Sequence, residues 1–127
     1  MKNLVTESDF VEIYDDFLSE SICSELISLV DEQNERIERD HKPNFYQRNI
    51  GNISEYTGLY KKFSEVGMKY LADIGYYDDL LPHKYGFEEM RIKKYDVGDS
   101  FDTHIDVSDY ASARRWLAFL VYLNDNF

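Results

Sequence analysis

The run from Ser100 to Asp106 contains the residues of this sequence whose types and spacing are best suited to chemistry. Polar and apolar residues alternate along it, which predicts a β-strand with alternate side chains on opposite faces. His104 and Asp106 then share one face, about 7 Å apart along the strand, so an imidazole nitrogen and a carboxylate oxygen can converge on one metal ion. Two such ligands suit Fe(II), Mn(II), Co(II) or Zn(II), and they are two thirds of a facial triad of two histidines and one carboxylate.

A second interpretation of the His-x-Asp tripeptide stays open when it is considered alone. The chain contains 25 acidic residues, so a carboxylate two positions after a histidine is also typical of a solvated strand face. The other two histidines, His41 and His83, lie in loop-like sequence, and we expect both to be exposed loop residues.

Two amphipathic helices are predicted before this strand. Apolar residues at helical spacing follow Ser19, a suitable N-cap, and predict a helix from Ser19 to about Asn34. The polar segments 31–39 and 44–57 are expected to form a solvated helix end and a loop. A second apolar stripe predicts a helix that ends at Gly75, and its members are Leu59, Phe63, Val66, Tyr70 and Ile74.

Strands are predicted at both ends of the chain. Phe10–Tyr14 is rich in β-forming residues, and Met90–Tyr95 alternates in the same way as Ser100–Asp106. Asp96–Asp99 is typical of a turn. Trp116–Leu123 is an almost continuous apolar run, which predicts a strand buried on both faces. Helices followed by strands indicate an α+β fold.

Composition limits the class of protein. A length of 127 residues allows one domain, and 16% aromatic residues argue against disorder. The net charge of −11 disfavours non-specific binding to nucleic acid or to membrane surfaces. The single cysteine, Cys23, excludes an intrachain disulfide and a cysteine-based zinc cluster. The polar first ten residues do not resemble a signal peptide, and no apolar run approaches the roughly 18 residues of a membrane span. We therefore expect a soluble, cytoplasmic protein.

A longer pattern surrounds His104 and resembles a known enzyme family. It consists of Tyr95-x2-Gly98-x2-Phe101-x2-His104-x-Asp106, followed by Arg115 and by Tyr122-Leu123-Asn124. This pattern is similar to the prolyl 4-hydroxylase-like branch of the Fe(II)/2-oxoglutarate-dependent dioxygenases. The opening run from Val11 to Ser19, followed by a helix, also looks like the start of such domains.

The resemblance implies a fold, a reaction and a set of site residues. The fold would be one oxygenase domain over 1–127, in which 10–84 is a supporting strand–helix region and 85–127 supplies the first strands of a double-stranded β-helix, or jelly roll. The cofactors would be Fe(II) and 2-oxoglutarate, with ascorbate as a further reductant, and the substrate a peptide or a small molecule hydroxylated at a prolyl or similar C–H centre. The implied residues are His104 and Asp106 as metal ligands, Tyr95 and Tyr122 at the 2-oxoglutarate pocket, and Arg115 as a catalytic residue near its mouth.

The family pattern continues with a Gly-Gly strand, a distal histidine and an arginine or lysine that pairs with 2-oxoglutarate. These elements do not follow Asn124 in this sequence, which predicts a fragment, a partner polypeptide that supplies the remaining half, or self-association through the open sheet edge. A non-catalytic binding or assembly protein that uses this edge is the alternative function. A third alternative is a jelly roll that binds a sugar or another small molecule without redox chemistry.

Overall fold

The computed structural model describes residues 10–40, 43–75, 82 and 84–125. Two α-helices and one three-stranded antiparallel sheet form from these residues, so the predicted α+β class is confirmed. The chain divides into two compact units. The helical unit contains the described residues of Met1–Phe17 and Gly51–Glu89, and the sheet unit contains Leu18–Ile50 and the described residues of Met90–Phe127.

The sheet unit begins with helix α1, Glu20–Glu32, as predicted. The hydroxyl of Ser19 caps it by accepting a hydrogen bond from the backbone N–H of Ile22 at 3.3 Å. Leu26 and Val30 lie one helical turn apart and are both buried. The apolar stripe of the sequence is therefore the face through which α1 packs on the sheet.

Three short strands form the sheet in the order β1-β2-β3. They span Glu35–Glu38 (β1), Asn44–Asn49 (β2) and Arg91–Lys94 (β3), and both pairings are antiparallel. Only β3 is a predicted strand. The predictions of a solvated helix end or loop for 31–39 and of a loop for 44–57 were wrong where β1 and β2 form. Both strands are mostly polar. They are stabilised by pairing with strands that are distant in the sequence, and no local apolar pattern predicts them.

The two faces of the sheet have different surroundings. Helix α1 covers the face that carries Arg48, Ile92 and Lys94: Arg48 donates to the carbonyl of Leu29 at 2.5 Å, and Lys94 pairs with Asp31 at 2.7 Å. Because side chains alternate along a strand, the opposite face carries Phe45, Lys93 and Tyr95. We call this opposite side the aromatic face.

Two predicted strands of the sheet unit do not form. Ser100 makes an isolated bridge with Asn44, after which the chain bends at Thr103 and again at Asp106. Trp116–Leu123 is not part of the sheet, and its residues alternate between half-buried and exposed instead of being buried on both faces. A regular strand requires a hydrogen-bonded neighbour, and the sheet of the described residues ends at three strands.

The helical unit contains the short 3-10 helix η1, Ser54–Tyr56, and helix α2, Gly58–Asp73. The predicted second helix is confirmed, and all five residues of its apolar stripe are half-buried. Gly75 follows the helix with a φ of 74°, a left-handed conformation that glycine adopts without a steric penalty.

The predicted strand over Phe10–Tyr14 does not form. This segment is instead attached to α2 by hydrogen bonds, because Tyr70 donates to the carbonyl of Phe10 at 2.8 Å and Tyr14 donates to the carboxylate of Asp73 at 2.8 Å. Side-chain hydrogen bonds therefore attach this segment to α2, in place of the backbone hydrogen bonds of a β-strand. No helix in the described ranges is long and apolar enough to cross a membrane.

Candidate metal-binding site

His104 and Asp106 converge in the structure. The Nε2 atom of His104 lies 3.3 Å from Oδ1 of Asp106, and its Nδ1 atom lies 2.8 Å from the backbone carbonyl oxygen of Asp102. A carbonyl oxygen only accepts hydrogen bonds, so Nδ1 donates in this contact. Nε2 then has two roles open to it: a lone pair that can bind a metal ion, or an N–H that pairs with Asp106 in the protonated ring. Metal-binding histidines use this same arrangement, in which the second nitrogen is oriented by a hydrogen bond.

The distance between Nε2 of His104 and Oδ1 of Asp106 would suit two ligands of a shared ion. Nitrogen and oxygen ligands about 2.1 Å from a divalent transition metal, at roughly right angles, lie about 3 Å apart. Both side chains are also accessible, since 47% of the His104 side chain and 57% of the Asp106 side chain are exposed. The pair therefore fits two adjacent positions of one ion.

A bend, not a regular strand, brings these side chains together. The predicted alternation assigns Phe101 and His104 to opposite faces, but the bend at Thr103 brings their ring centres to 4.0 Å. Phe101 stacks in turn on Phe45 of β2, with ring centres 5.6 Å apart and an interplanar angle of 14°. The imidazole is thus connected to the aromatic face through a row of three rings, those of His104, Phe101 and Phe45.

Arg115 contacts the backbone of the site. Its guanidinium donates to the carbonyl oxygen of Asp106 at 2.8 Å. Through this contact Arg115 can position the backbone of Asp106, and the catalytic role that the resemblance implies for Arg115 stays a prediction.

Ser112, which the sequence motifs did not single out, organises the loop that leads to Arg115. Its buried hydroxyl accepts hydrogen bonds from the backbone N–H groups of Ser108 and Asp109 at 3.0 and 3.1 Å. The N–H of Ser112 donates to the carboxylate of Asp109 at 2.8 Å, and the hydrogen bonds from Ser112 lower the pKa of Asp109. The Asp-x-x-Ser spacing was the available signal, since both residue types close turns with their side chains.

The two tyrosines occupy different positions. Tyr95 lies on the aromatic face with its ring centre 5.4 Å from that of Phe45, and burial raises its pKa. Tyr122 is 73% exposed in the extended C-terminal segment. Tyr95 is therefore close to the row of rings that leads to His104.

A cavity of about 220 Å³ borders Asp106. Its lining residues are Asp106, Val107, Arg115, Trp116, Leu117 and Ala118. The cavity thus joins a polar end, formed by Asp106 and Arg115, to an apolar wall.

An ion pair fixes the turn that precedes the site. Arg36 of β1 binds both carboxylate oxygens of Asp99, at 2.8 and 2.9 Å, and Asp99 also accepts from the N–H of Asp96 at 2.9 Å. These contacts hold the pKa of Asp99 below its usual range. The predicted turn over Asp96–Asp99 is confirmed by the bond from the N–H of Asp99 to the carbonyl of Asp96. Arg36 was not predicted because it pairs across 63 positions of sequence.

A third metal ligand is not among the groups that the structure describes. Within those residues no cluster of three or more His, Cys, Asp or Glu side chains could hold a metal ion. His41 and His83, the other two histidines, lie outside the described residues.

Known proteins do not identify the chain. No family model matches it, and no match was found among curated proteins or among solved structures. The geometry around His104 and Asp106 is therefore the basis on which a function can be proposed.

Proposed function

We propose that the chain is an Fe(II)- and 2-oxoglutarate-dependent oxygenase domain that hydroxylates a prolyl or similar C–H centre. The observation that supports this proposal most strongly is the convergence of His104 Nε2 and Asp106 Oδ1 at 3.3 Å, with Nδ1 bonded to the Asp102 carbonyl. The imidazole and carboxylate donors are the types that Fe(II) uses in such sites. The sheet and the extended segment Trp116–Leu123 would belong to the first half of a jelly roll.

Each residue has a defined role in this proposal. His104 and Asp106 hold the metal, and the carbonyl of Asp102 keeps the imidazole in the ligating tautomer. Arg115 fixes the backbone from which the Asp106 carboxylate projects. Tyr95, on the aromatic face, and Tyr122 would line the cosubstrate pocket. Bound iron, 2-oxoglutarate and O₂ supply the oxidising power that converts a C–H group to an alcohol, with succinate and CO₂ as the other products.

Metal affinity of the whole chain tests the proposal. We expect Co(II), used as a spectroscopic substitute for Fe(II), to bind at one site, and His104→Ala and Asp106→Ala to weaken binding at least tenfold, because each removes one ligand atom. Titration by visible absorption measures the affinity. Asp102→Asn is the matched control, since the contact to His104 uses the Asp102 backbone and not its carboxylate. Unchanged affinity in His104→Ala would contradict the assignment.

Turnover is the second arm of that test. With Fe(II) and ascorbate present, we expect the chain to form succinate from 2-oxoglutarate, and His104→Ala to abolish this conversion. Formation of succinate by His104→Ala at the wild-type rate would show that the reaction occurs elsewhere.

A binding or assembly function is the second candidate, and the extended C-terminal segment favours it. Trp116, Leu120 and Tyr122 lie on its exposed side, with Leu120 84% exposed. An extended segment with an exposed apolar side can recruit another strand, from a second copy or from a complementing chain. We expect the mass in solution to exceed that of one chain, 15.1 kDa, and Leu120→Lys to restore the monomer. A wild-type monomer at micromolar concentration would count against this function.

A further inference from the structure

The extended segment Trp116–Leu123 has an apolar outer side. Its odd-numbered residues from Leu117 to Leu123 are half-buried and the residues between them are exposed, a period of two that is typical of an extended chain with one side on a core. We call the exposed set the outer row, and its members are Trp116, Ala118, Leu120 and Tyr122. Leu120 is 84% exposed and Tyr122 is 73% exposed, so the outer row is an apolar surface that another chain can cover.

The backbone of this segment also provides hydrogen-bonding groups. Among the residues that the structure describes, the N–H and C=O groups of Ala118 and Leu120 have no hydrogen-bond partner. Residues two apart in an extended chain direct these groups to the same edge, because the directions alternate along the backbone. Ala118 and Leu120 therefore present one edge at which a second extended chain can add as a neighbouring strand.

The two ends of the segment carry opposite charges. Arg115 precedes it, Asp125 follows it after one residue, and both are exposed. Two identical strands that pair antiparallel about a twofold axis bring the start of each strand opposite the end of the other. With Leu120 opposite Leu120, Arg115 of each copy faces Asp125 of the other. Arg115 uses its Nη1 atom for the carbonyl of Asp106, and the other N–H groups of the guanidinium can bind this carboxylate.

The burial pattern of the segment requires the same register. Opposite residues of a strand pair lie on the same face, so a shift by one residue would place half-buried residues opposite the outer row. A shift by two residues keeps the faces, but it moves the position opposite Arg115 from Asp125 to Leu123 or Phe127, which are both apolar. The register centred on Leu120 therefore matches charge and burial together.

We propose that Trp116–Leu123 is a dimerisation strand, which pairs antiparallel with the same segment of a second copy about a twofold axis at Leu120. Arg115 of each copy then pairs with Asp125 of the other. The inference rests on the binding or assembly function, the second candidate above, for which it names the partner and the register. It involves no metal ion, and the twofold symmetry limits the assembly to two chains.

Oxidative cross-linking of single-cysteine variants tests the register. With Cys23 replaced by alanine, Leu120→Cys should form a disulfide-linked dimer in copper phenanthroline, because directly opposite residues have Cα atoms about 5.5 Å apart, within disulfide range. Ser28→Cys, at an exposed position of α1, is the matched control and should stay unlinked. Non-reducing electrophoresis separates the linked from the unlinked chains.

Two further positions distinguish this register from other contacts. Ala118→Cys and Tyr122→Cys should each cross-link poorly alone, because the two copies of either position lie about 13 Å apart along the strands. An equal mixture of the two variants should cross-link strongly, since Ala118 of one copy faces Tyr122 of the other. Mass spectrometry identifies the mixed dimer.

The charge match is tested without cysteines. Asp125→Lys should weaken dimerisation about tenfold in analytical ultracentrifugation, because it places a lysine opposite Arg115 at both ends of the strand pair. The same substitution reduces the net charge of −11, which by itself would favour association of two acidic chains. Glu32→Lys makes an equal change of charge at an exposed position of α1 and should not weaken the dimer.

The outcomes separate this inference from the proposed functions. Absence of Co(II) binding would overturn the oxygenase proposal and leave the strand pair unaffected. A wild-type monomer at micromolar concentration would overturn the assembly function, and this inference with it. A dimer in which Leu120→Cys stays unlinked, in which Ala118→Cys alone links as fully as Leu120→Cys, or which Asp125→Lys does not weaken would overturn only the inference.

Discussion

At the scale of single residues, Ser112 and Arg115 determine how well the Asp106 carboxylate is held. Ser112 closes the loop after Asp106, and Arg115 returns from that loop to bind the Asp106 carbonyl. Both act on backbone groups and not on a ligand. The His-x-Asp spacing predicted that these two side chains lie close together, whereas the residues that orient their backbone became visible only from the hydrogen bonds of the loop.

Ser112→Ala should destabilise the sheet unit by about 1–3 kcal/mol, because two backbone N–H groups lose the acceptor provided by the buried hydroxyl. Urea unfolding followed by circular dichroism measures the change. Ser108→Ala is the control, since Ser108 contributes its backbone N–H and not its side chain to this contact. Equal stability of Ser112→Ala and the wild type would show that the loop does not depend on this hydroxyl.

At the scale of elements, sequence and structure agree where local pattern determines the conformation. The apolar stripes and the cap at Ser19 predict α1 and α2, and alternation predicts β3. The strands β1 and β2 could not be predicted from local pattern, because their stability comes from pairing between residues that are distant in the sequence. Of the residues in these two strands, only Phe45 is buried. The bend at Thr103 is equally non-local, because the contact of His104 with Phe101 depends on the stacking of Phe101 against β2.

Leu26→Ala tests whether α1 is the main apolar layer of the sheet unit. We expect a loss of about 2–5 kcal/mol in the free energy of unfolding, because the side chain is buried against the sheet and its removal leaves a cavity. Ser28→Ala, on the exposed side of the same helix, should change stability by less than about 0.5 kcal/mol. A small effect at Leu26 would contradict the packing of α1 on the sheet.

The Arg36–Asp99 pair should make the sheet unit sensitive to acid. The pKa of Asp99 is lowered in the folded chain, so its contribution to stability is present above the usual Asp pKa of about 3.9 and is lost as the pH falls through the lower folded value. Asp99→Asn should therefore be less stable than the wild type at pH 6, and this difference should shrink below pH 4. Thermal melts across that range measure it.

The control for this pair is Glu38→Gln. Glu38 approaches Arg36 at 3.9 Å with an exposed side chain, so its loss should change little at any pH. A difference between Asp99→Asn and the wild type that stays constant from pH 6 to pH 3 would contradict the role of Asp99.

At the scale of the whole molecule, the net charge of −11 disfavours nucleic acid as a partner. The chain has 25 acidic and 14 basic residues, and this excess of negative charge repels phosphate backbones. We expect no measurable binding to a 20-base-pair DNA duplex at 50 mM salt by fluorescence anisotropy. Micromolar binding at that salt concentration would show that a local basic surface, such as that of Arg91 and Lys93, outweighs the net charge.

The most direct test of the account is the position of a bound metal ion. Mn(II) broadens the NMR signals of nuclei near it, so substoichiometric Mn(II) added to isotopically labelled protein should broaden the signals of His104 and Asp106 first. The same addition to His104→Ala should leave the region from Phe101 to Asp106 sharp. Broadening that is centred elsewhere, or that persists unchanged in His104→Ala, would contradict the claim that these two side chains form a metal site.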